Sequence, residues 1–133
     1  MSTAPASNTA SPATTAKKRI LVVDDNRDSA TTLAMLLKLS GYETQTAGDG
    51  ASALESTTSF LPEIILLDIG LPDMSGYEVC KKMRQLPIDP PPKIVAVTGW
   101  NEDDVRERAG EECFDGHLAK PVDFKLLQGL IAG

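Results

Sequence analysis

The segment 64-IILLDIGLPDMSGYE-78 combines a short apolar run, an aspartate at the end of that run, and a loop rich in turn residues. Four apolar residues in succession, 64–67, are typical of a strand buried on both faces. Asp68 ends the run, and Ser75 is a suitable N-cap for a following helix. The apolar residues on the buried side of that helix are Val79, Met83 and Leu86. The segment therefore predicts a strand, a loop and a helix, the repeating unit of a parallel α/β sheet.

The same unit recurs along the rest of the chain. The other predicted strands are residues 20–23, 42–47, 94–97 and 117–119. The other predicted helices are one that carries Ala30, Leu33, Leu36 and Leu37 and stops at Gly41, a weak one over 51–58, a fourth from Asn101 and a fifth capped by Asp123. Five strands alternating with five helices predict a doubly wound, five-stranded parallel sheet of order 2-1-3-4-5, a flavodoxin-like α/β fold.

Length and charge limit the classes of protein that the chain can belong to. The 133 residues suit one domain, and 13 basic against 19 acidic side chains give a net charge of −6. Direct binding to nucleic acid or to an anionic membrane needs a basic face, so we expect neither. Residues 1–16 carry no charge and no apolar periodicity. We expect a disordered tail there and a single domain over residues 17–133.

The two cysteines, Cys80 and Cys113, have neither metal-ligand nor CxxC spacing. Two thiols in a domain of this size do not imply a disulfide framework. We therefore expect both to be small apolar packing residues, which fits a reducing cytoplasm. Asp73 and Ser75 are expected to be turn and cap residues and not part of a site.

Polar side chains stand at the predicted carboxyl ends of four strands. They are Asp24 and Asp25 after strand 1, Asp68 after strand 3, Thr98 after strand 4 and Lys120 after strand 5. Ligands of such sheets bind at this edge, between strands 1 and 3. Three carboxylates there repel one another unless a cation is bound, and oxygen ligands alone suit Mg²⁺. An aspartate at this edge can also act as a nucleophile on phosphorus.

Four motifs in order along the chain resemble those of the response regulator receiver domain of two-component signalling, of the chemotaxis-regulator type. They are ILVVDDN (20–26), IILLDIGLPDMSGYE (64–78), IVAVTG (94–99) and HLAKP (117–121). The resemblance covers about residues 18–131. It implies that Asp68 accepts a phosphoryl group and that Asp24, Asp25, Asp68 and the backbone carbonyl of Gly70 hold Mg²⁺. It also implies that Lys120 pairs with the acceptor carboxylate or its phosphate.

The resemblance implies a switch as well as an acceptor. Thr98 matches the hydroxyl that bonds a phosphoryl oxygen, and Pro121 follows a bond that is cis in the family. His117 stands at the switch-aromatic position, where Tyr or Phe is commoner, and an imidazole can also titrate near neutral pH.

The implied function is phosphorelay signal transduction in the cytoplasm. A histidine kinase or phosphotransfer protein would supply the phosphoryl group, and the surface of helix 4, strand 5 and helix 5 would then change for an unknown downstream protein. The domain would catalyse its own phosphorylation and dephosphorylation and would not be an enzyme acting on an external substrate. It would be a monomer or a phosphorylation-dependent dimer.

Two other classes use a similar sheet. A phosphatase of the haloacid dehalogenase type needs a second aspartate two residues after the nucleophile, whereas Asn26, Arg27 and Gly70 occupy those positions here. Turnover of a phosphomonoester beyond one equivalent would favour that class. A flavodoxin-like FMN binder needs a phosphate loop rich in Ser, Thr and Gly after strand 1, where Asp24 and Asp25 would repel the phosphate. A coloured purified protein would favour that class.

Overall fold

The sheet positions every candidate site residue. A computed structural model describes residues 18–99 and 113–132 of the chain. Its strands are β1 (Arg19–Val23), β2 (Glu43–Ala47), β3 (Ile64–Asp68), β4 (Lys93–Thr98) and β5 (Gly116–Ala119). They form one sheet of order β2-β1-β3-β4-β5 in which each neighbouring pair is parallel. The predicted sheet and its order are confirmed.

Four helices cover the sheet in the described part of the chain. They are α1 (Arg27–Leu39), α2 (Gly50–Phe60), α3 (Gly76–Gln85) and α4 (Phe124–Ala132). They correspond to the first, second, third and fifth predicted helices. The predicted helix from Asn101 and the predicted tail over 1–16 lie outside the described residues. Within the described ranges, none of these helices has the length and hydropathy that a membrane span requires.

Alternate residues of the central strands pack into two separate cores. Leu21 and Ile65 belong to the core that α2 and α3 cover, together with Val79 of α3. Ile20 and Leu66 belong to the core on the other face, which α1 and α4 cover. Because both faces of the sheet are covered, the strands need apolar residues at every position. This accounts for the uninterrupted apolar run that precedes Asp68.

The helix ends agree with the capping predictions. Ser75 accepts a hydrogen bond from the Glu78 N–H at 3.2 Å, and Asp123 caps α4 by accepting from the Lys125 N–H at 2.9 Å. Helix α1 ends ahead of Gly41, whose φ of 100° suits glycine. Leu36, which the sequence groups with the apolar stripe of α1, is 43% exposed.

The two cysteines contradict the sequence-based expectation of separate packing residues. Cys80 of α3 and Cys113, just ahead of β5, form a disulfide. Cys80 does lie in a core, fully buried, so its packing role is correct and its predicted free thiol is wrong. The partners are 33 residues apart, and only the fold brings α3 beside the chain that enters β5. Cysteine usage therefore no longer supports a reducing compartment.

Candidate functional site

Three carboxylates meet at the carboxyl edge of the sheet. Asp68 is the last residue of β3 and is only 6% exposed, and Asp24 and Asp25 directly follow β1. The two strands are neighbours, with Val23 paired to Leu67. One carboxylate oxygen from each aspartate lies within 4.8 Å of the others. The predicted acidic cluster is thus assembled by strand pairing.

Lys120 supplies positive charge to this cluster. Its Nζ donates a hydrogen bond to Asp68 Oδ2 at 2.9 Å and lies 3.6 Å from Asp24 Oδ2. Lys120 follows β5, and its backbone N–H donates to the carbonyl of Thr98 at 2.9 Å. The end of β4 therefore holds the backbone of Lys120 in place, and from there its ammonium group reaches Asp68 at the end of β3. The bond between Lys120 and Pro121 is cis, as the resemblance implies.

The charges of the cluster change the pKa values of two members. Burial raises the pKa of the Asp24 carboxyl, and the neighbouring Asp68 raises it further, against the Asn26 N–H and Lys120, which lower it. Burial lowers the pKa of Lys120, but the hydrogen bond and charge of Asp68 and the charge of Asp24 outweigh it, so that the pKa is raised. Lys120 is accordingly held as a cation, while the ionised form of Asp24 is disfavoured.

Gly70 lies directly beside the candidate acceptor. Its N–H donates to Asp68 Oδ1 at 3.0 Å, so the two Asp68 oxygens have different partners, Gly70 on one side and Lys120 on the other. Among the described residues, no hydrogen bond ends on the Gly70 carbonyl. Gly70 thus lies beside Asp68 of the acidic cluster, where the resemblance predicts that its carbonyl is a metal ligand.

The two candidate switch residues lie on neighbouring strands. Thr98 is the last residue of β4 and is buried. His117 of β5 is half-buried, and its ring centroid lies 6.1 Å from that of Phe114. Because Ala96 pairs with His117 and Thr98 with Ala119, the register puts Thr98 and His117 diagonally on one face of the sheet. The imidazole therefore lies beside Phe114, on the same face of the sheet as the predicted switch hydroxyl.

An open crevice of about 400 Å³ adjoins the acceptor on the α1 side of the sheet. Its walls come from α1 and from the turn after β5. The apolar residues among its lining include Leu33, Leu36, Leu66, Val97 and Val122, and the polar ones include Asp24, Asp28, Asp68 and Lys120. A group that enters this crevice reaches the acceptor carboxylate.

Asp73 makes a contact that the sequence does not predict. The sequence predicts a local turn residue, whereas the Asp73 carboxylate accepts hydrogen bonds from the first backbone N–H groups of α2, those of Gly50 and Ala51, at 2.7 and 3.0 Å. These partners precede it by 23 and 22 residues. No local pattern reveals such a contact, because it depends on how α2 and the loop after β3 meet.

Comparison with known proteins agrees with this fold and site. The chain matches the response regulator receiver domain over residues 20–132, and it belongs to that family. It is therefore a receiver domain of the kind that two-component response regulators use in phosphorelay signalling.

One curated relative is the alkaline phosphatase synthesis transcriptional regulatory protein PhoP of Bacillus subtilis, 38% identical over 104 residues. The match covers 78% of this chain and 42% of PhoP, so the chain spans less than half of that relative.

Solved structures give the same result for the fold. A CheY-like receiver domain from Methylobacillus flagellatus is 29% identical with a TM-score of 0.78, and the match covers 88% of this chain and 98% of that one. The response regulator TrrA of Thermotoga maritima, in complex with Mg²⁺-BeF, is 32% identical with a TM-score of 0.76, and the match covers 86% of this chain and 96% of that one.

Proposed function

We propose that this receiver domain is a Mg²⁺-dependent phosphoryl acceptor in which Asp68 takes the phosphoryl group from a histidine kinase or a phosphotransfer protein. The observation that carries the proposal is the setting of Asp68. Its carboxylate is almost completely buried, donors hold both of its oxygens, and two further carboxylates lie within 4.8 Å. A solvated strand-end aspartate would need none of these contacts.

The chain's own residues supply the chemistry of transfer. An oxygen of Asp68 attacks the phosphorus of a phosphohistidine, the O–P bond forms, and the P–N bond breaks with its electron pair passing to the imidazole. Lys120, already 2.9 Å from Asp68, holds a negative phosphoryl oxygen, and the Thr98 hydroxyl bonds another. The product is an acyl phosphate on Asp68.

The donor set fits Mg²⁺. Asp24, Asp25, Asp68 and the Gly70 carbonyl offer oxygen ligands only, and Mg²⁺ binds through one or two carboxylates plus phosphate oxygens and waters. When bound, the ion supplies charge neutralisation at the transferred group. The complex of TrrA with Mg²⁺-BeF supports the assignment by analogy.

The crevice beside α1 suits the approach of the donor. Leu33, Leu36 and Val122 give it apolar walls next to the acceptor. Leu36 is partly exposed at 43%, and Met35 next to it at 58%, so α1 offers apolar surface to a partner. A helix that presents phosphohistidine can place an apolar side chain here while its imidazole faces Asp68.

The phosphorylated domain acts as a switch and not as an enzyme on external substrates. Movement of Thr98 toward the phosphoryl group opens space for His117. The surface formed by the predicted helix from Asn101, by β5 and by α4 (the fifth predicted helix) then changes for a downstream protein. The net charge of −6 argues that this partner is a protein, even though relatives such as PhoP are named transcriptional regulators. We place the domain in the cytoplasm as a monomer or a phosphorylation-dependent dimer; this rests on phosphorylation by a histidine kinase and not on the cysteines, because a disulfide is uncommon in that compartment.

The test is phosphorylation of the purified chain by acetyl phosphate with and without Mg²⁺, followed by intact mass and Phos-tag electrophoresis. We expect one phosphoryl group per chain that requires Mg²⁺ and is lost in Asp68→Asn. Glu55→Gln, which neutralises an exposed carboxylate of α2 outside both the cluster and the crevice, serves as the control and should keep normal uptake. Unchanged uptake in Asp68→Asn would refute the acceptor, and multiple turnover of a phosphomonoester would favour a phosphatase.

A further inference from the structure

The loop between β3 and α3, residues 69–75, is held at its ends, near its start and at its tip. Its ends are closed by a hydrogen bond of 2.8 Å from the Gly76 N–H to the Ile69 carbonyl. Near its start, Leu71 packs into the core that α2 and α3 cover. At its tip, Asp73 contacts α2, an element outside the loop.

The tip contact is strong for an exposed residue. Each carboxylate oxygen of Asp73 accepts one N–H of the first turn of α2, at 2.7 Å from Gly50 and at 3.0 Å from Ala51. Hydrogen bonds to an ionised carboxylate are stronger than neutral ones, and the helix N-terminus favours negative charge. The Gly50 N–H lowers the pKa of Asp73, so the carboxylate is ionised at neutral pH. Met74 packs so closely on Gly50 that a Cβ there would lie 2.5 Å from Met74 Cγ.

The contact also joins two sides of the candidate metal site. Helix α2 follows β2, and the Asp24 N–H donates to the carbonyl of Ala47 at the end of β2, at 3.0 Å. Through its hydrogen bonds to α2, Asp73 therefore connects the loop that carries Gly70 to the β2–α2 segment, to which the Asp24 backbone is also hydrogen-bonded. The Asp68 side chain also has a support outside the loop, because Lys120 after β5 bonds its Oδ2 while the Gly70 N–H bonds its Oδ1.

The orientation of the Gly70 carbonyl depends on the path of the loop more than the position of the Asp68 carboxylate does. Packing of Leu71 fixes a side chain, whereas the direction of the Gly70–Leu71 peptide depends on the path of the chain beyond it. The next polar anchor on that path is Asp73. A loop released at its tip would leave the acceptor in place and loosen the aim of the Gly70 carbonyl.

We infer that Asp73 is a positioning residue that sets the affinity for Mg²⁺. By bonding the β3–α3 loop to the first turn of α2, it orients the Gly70 carbonyl toward the metal. The inference rests on the proposed function, since it deepens the role of the same site. It requires that Asp73 act on metal affinity and not on the acceptor itself. Groups that orient metal ligands without touching the metal change affinity by about tenfold or more.

The test compares Asp73→Ala with Asp49→Ala in the full chain. Asp49 is the matched control, because its carboxylate caps the same helix by accepting the Ser52 N–H at 2.8 Å and is bonded to no part of the loop. Calorimetric titration with MgCl2 alone gives the dissociation constant, and phosphorylation by acetyl phosphate is followed over a range of Mg²⁺ concentrations. We expect Asp73→Ala to weaken Mg²⁺ binding by about tenfold. Its rate at saturating Mg²⁺ should stay within about twofold of wild type, because Asp68 and Lys120 are unmoved.

The control separates a positioning role from a purely structural one. Both variants remove a cap of α2, so both should lower the melting temperature, but Asp49→Ala should keep the wild-type affinity for Mg²⁺. Asp73→Asn retains one acceptor oxygen and should fall between wild type and Asp73→Ala; it also provides the measurement if the alanine variant does not fold. Equal Mg²⁺ affinity in wild type and the Asp73 variants would overturn the inference while leaving the acceptor assignment intact. A wild-type protein that takes up no phosphoryl group would refute the proposed function instead.

Discussion

Asp24 is the site residue whose ionisation most clearly lowers the stability of the metal-free protein. It is held near Asp68 and Asp25, with Lys120 as the cation that neutralises part of the charge. Its raised pKa means that the ionised carboxylate is less stable in the folded protein than in the unfolded chain. At neutral pH, without metal, Asp24 therefore lowers the free energy of unfolding. The arrangement suits a site built to receive a cation.

The variant Asp24→Asn tests whether the ionised Asp24 carboxylate destabilises the metal-free protein. The folded pKa lies above the unfolded value of 3.8, so the penalty is present at pH 7 and disappears as the pH falls below 3.8. The amide keeps an oxygen that can accept the Asn26 N–H. In EDTA at pH 7 we expect urea unfolding to show a gain of up to about 1 kcal/mol, and at pH 3 no gain. Mg²⁺ should stabilise the wild type more than the variant.

Neutralisation of a distant acid provides the control. Glu55→Gln removes an exposed carboxylate of α2 and should leave the unfolding free energy nearly unchanged at both pH values. A lower stability of Asp24→Asn than of wild type in EDTA at pH 7 would mean that the contact with Lys120 outweighs the burial of the Asp24 carboxylate and its repulsion by Asp68.

The positions of the site residues could be predicted because they depend on a local pattern and on sheet topology. Asp68 follows a run of apolar residues, and any residue there reaches the carboxyl edge of a parallel sheet. The contact of Asp73 with Gly50 could not be predicted in the same way. It depends on the relative placement of two elements that are far apart in the chain, and the local sequence at Asp73 also suits an ordinary turn.

The connection between β3 and α3 leaves little room beside the acceptor. A Cβ on Gly76, the first residue of α3, would lie 2.7 Å from Ile69 Cα and 2.8 Å from the Asp68 carbonyl oxygen. Both atoms belong to the backbone and cannot turn aside as a side chain would. The start of α3 is therefore packed directly against the end of β3, and a glycine is needed for this close approach.

Gly76→Ala should damage both stability and function. The added methyl group must push α3 away from the β3 end, at a cost of about 2 kcal/mol, typical of overpacking. Because the displaced backbone is that of Asp68 and Ile69, we also expect slower phosphorylation at saturating Mg²⁺. Urea unfolding and a Phos-tag time course measure the two effects.

The matched control for Gly76→Ala is Gly129→Ala in α4. A Cβ on Gly129 meets nothing within 4 Å, and the residue is exposed inside a helix. Alanine there should raise stability by about 0.5–1 kcal/mol through helix propensity. If Gly76→Ala left stability unchanged or raised it as Gly129→Ala should, the close contact at Gly76 would not limit the fold.

The order of the sheet follows from central strands that are apolar throughout and from the helices between the strands. These features are continuous in sequence, which is why the architecture could be predicted. The pairing of Cys80 with Cys113 is a different kind of feature. The two residues meet because α3, which follows β3, packs beside the chain that enters β5. Arg84 reinforces the same junction by donating hydrogen bonds to the Cys113 carbonyl from Nε and Nη2, at 3.1 and 2.8 Å.

The disulfide should stabilise the whole domain by limiting the unfolded chain. Closing a loop with a sequence separation of 33 lowers the entropy of the unfolded state, which corresponds to about 3–4 kcal/mol. We expect urea unfolding of the oxidised protein to lose free energy of this size when a dithiol reductant is added. The double variant Cys80→Ser with Cys113→Ser should show reduced stability and no further response to the reductant, because it has no bond to break. Equal stability of the wild type in its oxidised and reduced forms would mean that the packing around Cys80 and the hydrogen bonds of Arg84 already hold this junction without the covalent link.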